Sequence, residues 1–221
     1  MTVLRSILVS TLLLVCVLLA GSCNIVGPIA AVAAGPPTTE ALFEVDDEKN
    51  HVIFIDDLKS RVPRRSLRDE ITQAAEEALL REGVLDPARL ISGRAALRVS
   101  SSEDSYGDPL SVAELGERVG ADVVIYVSMQ RWTLSRDGGT LSPSVAGEVK
   151  VIDAKSKARL WPPSRSSGYT LVVEPETKVN NADIPREIAQ RSQTEIATAR
   201  QFGLALAQMF YKHETRQSAR Q

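Results

Sequence analysis

The chain has 221 residues, of which 26 are lysine or arginine and 28 are aspartate or glutamate, so its formal net charge is −2. Nucleic-acid-binding proteins usually carry a strong basic field, which this composition lacks. The chain contains only two cysteines and two histidines. A framework of several disulfides is therefore excluded, and a zinc site built from several Cys and His ligands is not expected.

The first 23 residues have the pattern of an export signal. Residues 7–20 are almost entirely apolar, and Arg5 is the only charge before Glu40. A basic start followed by a short apolar run and small residues is typical of a secretory signal peptide. Residues 18–23, LLAGSC, resemble the lipobox of bacterial lipoproteins, with Ala20 where leucine is commoner. The resemblance implies cleavage before Cys23 and acylation of that cysteine, with the membrane as a partner through the lipid anchor.

Two alternatives remain open for this segment. An ordinary signal peptidase would cut the same bond and leave Cys23 unmodified. A membrane helix would need about 20 apolar residues, and residues 7–20 alone are too few. A longer span would have to include residues 25–34 and would be interrupted at Gly27-Pro28. Cys16 would be removed with the signal in either cleavage, leaving no thiol in the folded body and excluding a cysteine nucleophile. In some lipoproteins an aspartate directly after the acylated cysteine retains the protein in the inner membrane. Residue 24 is Asn here, which favours the outer membrane.

The composition divides the chain into four parts. Residues 1–22 are the predicted signal peptide, and residues 23–42 are the acylated cysteine and a flexible tether rich in glycine and proline. Residues 43–214 have the size and apolar content of one α/β domain. Residues 215–221 are polar and are predicted to be a disordered tail.

The domain begins with a buried strand and a helix. Residues 51–57, HVIFIDD, are a continuous apolar run ended by charge, which is typical of a central strand covered on both faces. Ser66 is predicted to cap the helix that follows, with Asp69 at the third position, and Gly83 to end it in a left-handed conformation. Residues 89–99 are ambiguous and include a short strand.

The middle of the domain predicts a second helix and four strands. Ser111 and Glu114 form a capping box that opens a short helix ending at Gly120. Residues 121–129, ADVVIYVSM, are the strongest strand pattern in the chain, and residues 145–153 alternate as a half-exposed strand does. Residues 158–161 and 169–173 supply two further strand patterns.

A long amphipathic helix is predicted to close the domain over residues 183–212. Pro185 lies near its start, and apolar residues at helical spacing are expected to face inward. These residues are Ile184, Ile188, Ile196, Ala199, Phe202, Leu206 and Phe210. The order of the elements predicts a single α/β domain with a mixed sheet flanked by helices.

Two segments of the domain resemble a known fold. Residues 115–129 place Gly120-Ala121-Asp122 before a hydrophobic strand, and residues 147–161 place Asp153-Ala154-Lys155 before a hairpin that returns to Trp161. This pattern resembles the fold of the penicillin-binding-protein activator lipoprotein, the curli-secretion lipoprotein and the amino-terminal domain of TolB. The resemblance implies a non-catalytic protein of the bacterial cell envelope, and it brings no catalytic residues.

Two groups of side chains near residue 60 are candidate sites. Asp56 and Asp57 end the first strand, where open α/β sheets tend to bind ligands, and a carboxylate pair could hold a hard cation. The alternative is that one aspartate accepts hydrogen bonds from loop amides. Five cations follow, and they predict either an anion or partner surface or pairing with the acidic residues nearby. These cations are Lys59, Arg61, Arg64, Arg65 and Arg68.

The remaining chemistry-bearing residues predict no enzyme. His51 opens a strand and His213 lies in the predicted last turn of the closing helix, so neither converges with other metal ligands. The sequence has no G-x-S-x-G elbow and no phosphate-binding loop. Trp132 and Trp161 are interface anchors if exposed and core residues if buried. No metal, cofactor or nucleic acid is expected.

The sequence thus predicts a non-catalytic envelope lipoprotein, facing the periplasm, that acts as an accessory or assembly factor by binding another envelope protein. One alternative is a periplasmic domain that senses a ligand or cation through Asp56, Asp57 and the arginines. A second is a homo-oligomeric secretion or scaffold component, although residues 132–144 are too short to span a membrane as a hairpin.

Overall fold

A computed structural model describes residues 37–104, 110–163, 167–175, 183–184 and 186–215. The chain divides into two compact units, Met1–Thr39 with His213–Gln221, and Glu40–Lys212. In the smaller unit, β1 (Thr38–Thr39) pairs antiparallel with β8 (His213–Glu214). The larger unit holds the remaining described helices and strands.

The larger unit is built on a six-stranded mixed sheet, as the sequence predicts. Its strands run in the order β3-β2-β4-β5-β6, and β7 also pairs with β5. β2 is parallel to both β3 and β4, whereas β4, β5, β6 and β7 pair antiparallel. The strands are β2 (His51–Asp56), β3 (Leu90–Ile91), β4 (Val123–Thr133), β5 (Ser144–Asp153), β6 (Arg159–Trp161) and β7 (Tyr169–Val173).

Helices cover both faces of this sheet. The larger core lies between the sheet and two helices, α1 (Arg65–Arg81) and α4 (Ile188–Gln208), and includes Ile53, Ile125 and Phe202. The smaller core lies on the opposite face, where Val52 and Phe54 meet residues from α2 (Gly93–Asp104) and α3 (Val112–Val119). Alternate residues of β2 thus enter opposite cores, which explains its continuous apolar sequence.

α1 and α4 pack closely because a glycine lies at their contact. A Cβ on Gly203 would fall 2.3 Å from the carbonyl oxygen of Ile71 and 2.9 Å from the Cβ of Ala74. Arg200 spans the same interface and forms ion pairs with Glu70 and Glu77 of α1. Glu195 of α4 pairs with Arg64, which directly precedes α1. The contacts advance along both helices in the same direction, so α1 and α4 begin at the same end of the sheet.

Several predicted helix ends are confirmed. Ser111 and Glu114 form both hydrogen bonds of the capping box that opens α3, and Gly120 ends that helix at a φ of 79°. Gly83 follows α1 at a φ of 68°. These ends depend on local geometry, since a hydroxyl must reach a free amide or a residue must adopt a positive φ.

Two details predicted for the helices are wrong. Ser66 does not cap α1, because the helix already begins at Arg65 and Arg64 occupies the capping position without a side-chain cap. Ile188 does not face inward: it is 87% exposed, and α4 begins there rather than at residue 183. Residues 188–191 are all exposed, so the first turn of α4 extends past the layer that buries the rest of the helix. Among the described residues, no helix is long and apolar enough to cross a membrane.

Candidate functional site

The loop between β2 and α1, which we name the basic loop (residues 57–64), is held in place by Asp57. One carboxylate oxygen of Asp57 accepts a hydrogen bond from the amide of Arg61 at 2.7 Å, and the other accepts one from the amide of Val62 at 2.8 Å. The amide of Ser60 also donates to the carbonyl of Asp57, at 3.0 Å. The side chain of Val62 is buried in the larger core. The turn is therefore fixed by its own carboxylate at one end and by the core at the other.

The basic loop turns one apolar and two cationic side chains to solvent. Leu58 is 76% exposed, and Lys59 and Arg61 are also exposed. Neither cation forms a side-chain hydrogen bond or an ion pair with any residue that the structure describes. A large apolar side chain beside two available cations, on a turn that is already ordered, is suited to contact with another molecule.

The other cations of the predicted set have different roles. Arg64 forms an ion pair with Glu195 at 2.7 Å, and Arg65 donates to the carbonyl of Leu97 in α2 at 3.2 Å. These two side chains connect the start of α1 to α4 and to α2. Arg68 is half-buried in the first turn of α1. The structure thus brings the five cations to one region but leaves Lys59 and Arg61 as the pair that the loop presents.

The predicted aspartate pair is used within the fold. Asp57 accepts the two loop amides, which is the structural alternative that the sequence left open. Asp56 accepts a hydrogen bond from the hydroxyl of Tyr126 at 2.8 Å. Burial and the neighbouring Asp56 carboxylate raise the pKa of Tyr126, so the hydroxyl stays protonated and remains the donor. In the described part of the chain, no group of three or more Cys, His, Asp or Glu residues is arranged to hold a metal ion.

The two histidines lie apart. His51 is buried at the start of β2, where its Nδ1 lies 2.8 Å from the carbonyl oxygen of Lys49, and burial lowers its pKa. Its Nε2 is also buried and has no hydrogen-bond partner among the described residues. His213 belongs to β8 in the smaller unit, so its predicted place in the last turn of the closing helix is wrong. The closing helix is followed instead by the two-residue strand β8, which pairs with β1.

The tryptophans are half-buried and pack against the larger core. Trp161 also contacts Tyr169, with ring centroids 5.2 Å apart. They therefore do not form the exposed pair of anchors that the sequence left open. Exposed apolar residues lie elsewhere, at Leu58 and Ile188, and at Tyr169 and Val172 on β7. Leu58 lies between charged residues in the sequence DDLKSR, and this pattern is the signal from which its exposure could have been predicted.

Cys23 and Asn24 lie outside the described residues. Acylation of Cys23 and location in the outer membrane therefore stay predictions. The same holds for the signal peptide and for residues 23–36 of the predicted tether. The division of the chain into four parts also stays a prediction.

No protein-family model and no curated protein matches the chain. Solved structures do match. The PelC dodecamer from Paraburkholderia phytofirmans is 12% identical over 79% of this chain and 97% of that chain, with a TM-score of 0.43. Lipoprotein GNA1162 from Neisseria meningitidis is 14% identical over 69% of this chain and 96% of that chain, with a TM-score of 0.35.

The LpoB C-terminal domain from Salmonella enterica is also similar, at 17% identity over 59% of this chain and 86% of that chain, with a TM-score of 0.34. These structures are similar to this chain in fold, which is the resemblance predicted from its sequence. At this level of identity and overlap the likeness concerns the fold alone.

Proposed function

We propose that this chain is a lipid-anchored protein of the bacterial cell envelope, and that its α/β domain acts without catalysis by binding another envelope protein. Cys23 is the proposed site of acylation. The basic loop is the proposed binding surface, and the partner is expected to present an acidic patch around an apolar pocket. The observation that carries this proposal is the exposure of Leu58, Lys59 and Arg61 on a turn that Asp57 already holds in shape.

The fixed conformation of the basic loop favours binding. A mobile loop loses conformational entropy when it binds, whereas a turn fixed in advance does not. Interfaces commonly place an apolar anchor at the centre and charged residues at the rim, where opposite charges speed association. Leu58 provides such an anchor, and Lys59 and Arg61 provide the rim. Ligand sensing through Asp56 and Asp57 is not favoured, because both carboxylates have partners inside the fold.

The proposal is tested by reversing the charge of the loop. The variant Lys59→Glu/Arg61→Glu leaves the contacts of Arg64 and Arg65 intact, so the start of α1 is not disturbed. The control is Lys155→Glu/Lys157→Glu, which makes the same charge change in the hairpin between β5 and β6. It also removes an ion pair between Lys157 and Glu114, at 3.8 Å, which is exposed and contributes little to stability. That hairpin lies at the opposite end of the sheet, since Asp153 pairs with Val123 at the start of β4.

Each chain is produced in its native cells, crosslinked and purified with what it binds. We expect the loop variant to lose the partner that the unsubstituted protein and the control both retain. Reversing two rim charges is expected to cost about 2 kcal/mol, which is roughly a 30-fold loss of affinity. Equal recovery of the partner by both variants would contradict the proposed surface. Recovery of the unsubstituted protein without any other envelope protein would contradict the proposed function.

The anchor is tested separately by intact mass. The protein extracted from membranes is expected to begin at Cys23 and to carry the added mass of acyl chains. Two or more acyl chains suffice for stable attachment, so Cys23→Ser is expected to release the protein from the membrane or leave its signal uncut. A mature mass without acyl chains would show that an ordinary signal peptidase had cut the chain.

A further inference from the structure

β7 leaves one side of the sheet open. It pairs with β5 along its whole length, with Tyr169 opposite Val149 and Val173 opposite Val145. No strand of the described residues lies on its other side. β6 pairs with the same side of β5 further along, at Val151 and Ile152, so it continues this edge rather than covering it. An open edge presents unpaired backbone N–H and C=O groups to other strands.

β7 also lacks the features that normally protect an edge. Its sequence, YTLVV, contains no charge and no proline, and its register with β5 has no bulge. The other edges differ: β3 has only two residues, and β6 carries Arg159 and a register shift. Tyr169 is 39% exposed and Val172 is 47% exposed, and they point to opposite faces of the sheet. Natural proteins rarely leave such a strand unpaired.

We propose that β7 pairs antiparallel with β7 of a second copy of this chain, about a two-fold axis at Leu171. This register places Leu171 opposite itself, Thr170 opposite Val172, and Tyr169 opposite Val173. An aromatic residue opposite a β-branched one is a favourable cross-strand pair, and the two-fold axis forms it twice. The two sheets then form one continuous sheet.

The residues that flank β7 favour a second copy as the occupant. The same register places Glu174 of one copy opposite Gly168 of the other. Glu174 is already ion-paired with Arg136 of its own chain, so it adds no unpaired charge at the ends of the strand pair. β7 itself carries no charge, so no like charges face each other within the pair. A second copy therefore matches β7 in side-chain pairing without bringing like charges together.

The test uses the absence of other thiols in the mature domain. One tagged full-length chain carries Thr170→Cys, a second carries Val172→Cys, and both are produced together in native cells. In the proposed register these positions face each other within the Cα separation of about 4.4–6.8 Å that a disulfide spans. Identical positions on the two copies are instead about 8 Å apart, because they are offset by two residues along the strand. Both side chains are exposed, so neither change disturbs the core.

We expect a disulfide-linked dimer that contains both tags, and little linkage when either variant is produced alone or when no cysteine is added. Linkage within each variant alone would overturn the register. Absence of linkage in the mixed sample, with an unchanged melting temperature, would overturn the pairing itself. The basic loop is not part of β7, so this result does not depend on whether the proposed partner binds there.

A second variant tests the same pairing without cysteine. Thr170→Lys/Val172→Lys places lysines opposite each other in the proposed register, where like charges repel. We expect the unsubstituted full chain in detergent to sediment as a dimer and this variant to sediment as a monomer. A monomeric unsubstituted chain, or a variant that remains dimeric, would overturn the proposal.

Discussion

Removal of Arg64 tests whether the cations near residue 60 are divided as the structure indicates. Arg64 Nη2 lies 2.7 Å from Glu195 Oε2, and the two side chains are 43% and 11% exposed. Arg64→Ala would leave the Glu195 carboxylate in a mostly buried position without its ion pair. Arg61→Ala removes a neighbouring cation that has no side-chain partner among the described residues.

The magnitude follows from the burial of the pair. Exposed ion pairs contribute about 0–1 kcal/mol, whereas breaking a fully buried pair costs about 3–5 kcal/mol. This pair is buried on one side only, so we expect Arg64→Ala to lower the free energy of unfolding by about 2 kcal/mol. For a domain of this size that corresponds to a fall in Tm of about 4–8 °C. Arg61→Ala is expected to change stability by less than about 0.5 kcal/mol.

The assay is denaturant unfolding of a double-mutant cycle made of Arg64→Ala, Glu195→Ala and the two together. We expect a coupling energy of about 1–2 kcal/mol between the two positions. A coupling energy near zero, or equal stability of Arg64→Ala and Arg61→Ala, would refute the division. In that case Arg64 and Arg61 would have the same role, and the effect of reversing the charge at one could not be distinguished from the effect of reversing it at the other.

Two further predictions concern the fold that supports the loop. Gly203→Ala is expected to destabilise the domain by about 1–3 kcal/mol, because its Cβ would meet the Ile71 carbonyl at 2.3 Å and separate α1 from α4. Gly139→Ala, whose Cβ would have only Asp137 within 4.0 Å, is the neutral control in the same denaturant titration. Burial lowers the pKa of His51, so on acidification below about pH 6.5 the unfolded state takes up a proton before the folded state does. The free energy of unfolding is then expected to fall with pH by up to about 1.4 kcal/mol per unit. In His51→Phe this contribution is absent, and parallel stability-against-pH curves for the two proteins would contradict the assignment.

The sequence predicted the parts of the fold that depend on local physical chemistry. The continuous apolar run of β2 is typical of a strand covered on both faces. The Ser111 capping box and the glycines at 83 and 120 act on their own backbone. Ile188 shows the limit of such reasoning. Helical spacing indicates the direction in which a side chain points, but it does not indicate how far the facing layer extends.

The candidate site was predictable as a region and not as a set of roles. Five cations within ten residues indicate a basic surface, but which of them are available depends on residues far away in the chain. Arg64 is paired by Glu195 and Arg65 by the carbonyl of Leu97, and neither contact has a local signal. The sequence favoured the structural reading of Asp57 but could not establish it, because only the turn of the loop brings two amides to its carboxylate.

The two proposed surfaces make different demands on the partner. A dimer formed through β7 would carry two basic loops and two of the proposed Cys23 anchors, and it would gain avidity only when both loops bind at once. Lysines at positions 170 and 172 would then weaken capture of a partner that presents two acidic sites, while leaving capture of a partner with one site unchanged. Reversal of charge at Lys59 and Arg61 would weaken both and would leave the dimer intact. Comparing the two variants against the same partner therefore separates the contribution of the loop from that of the sheet edge.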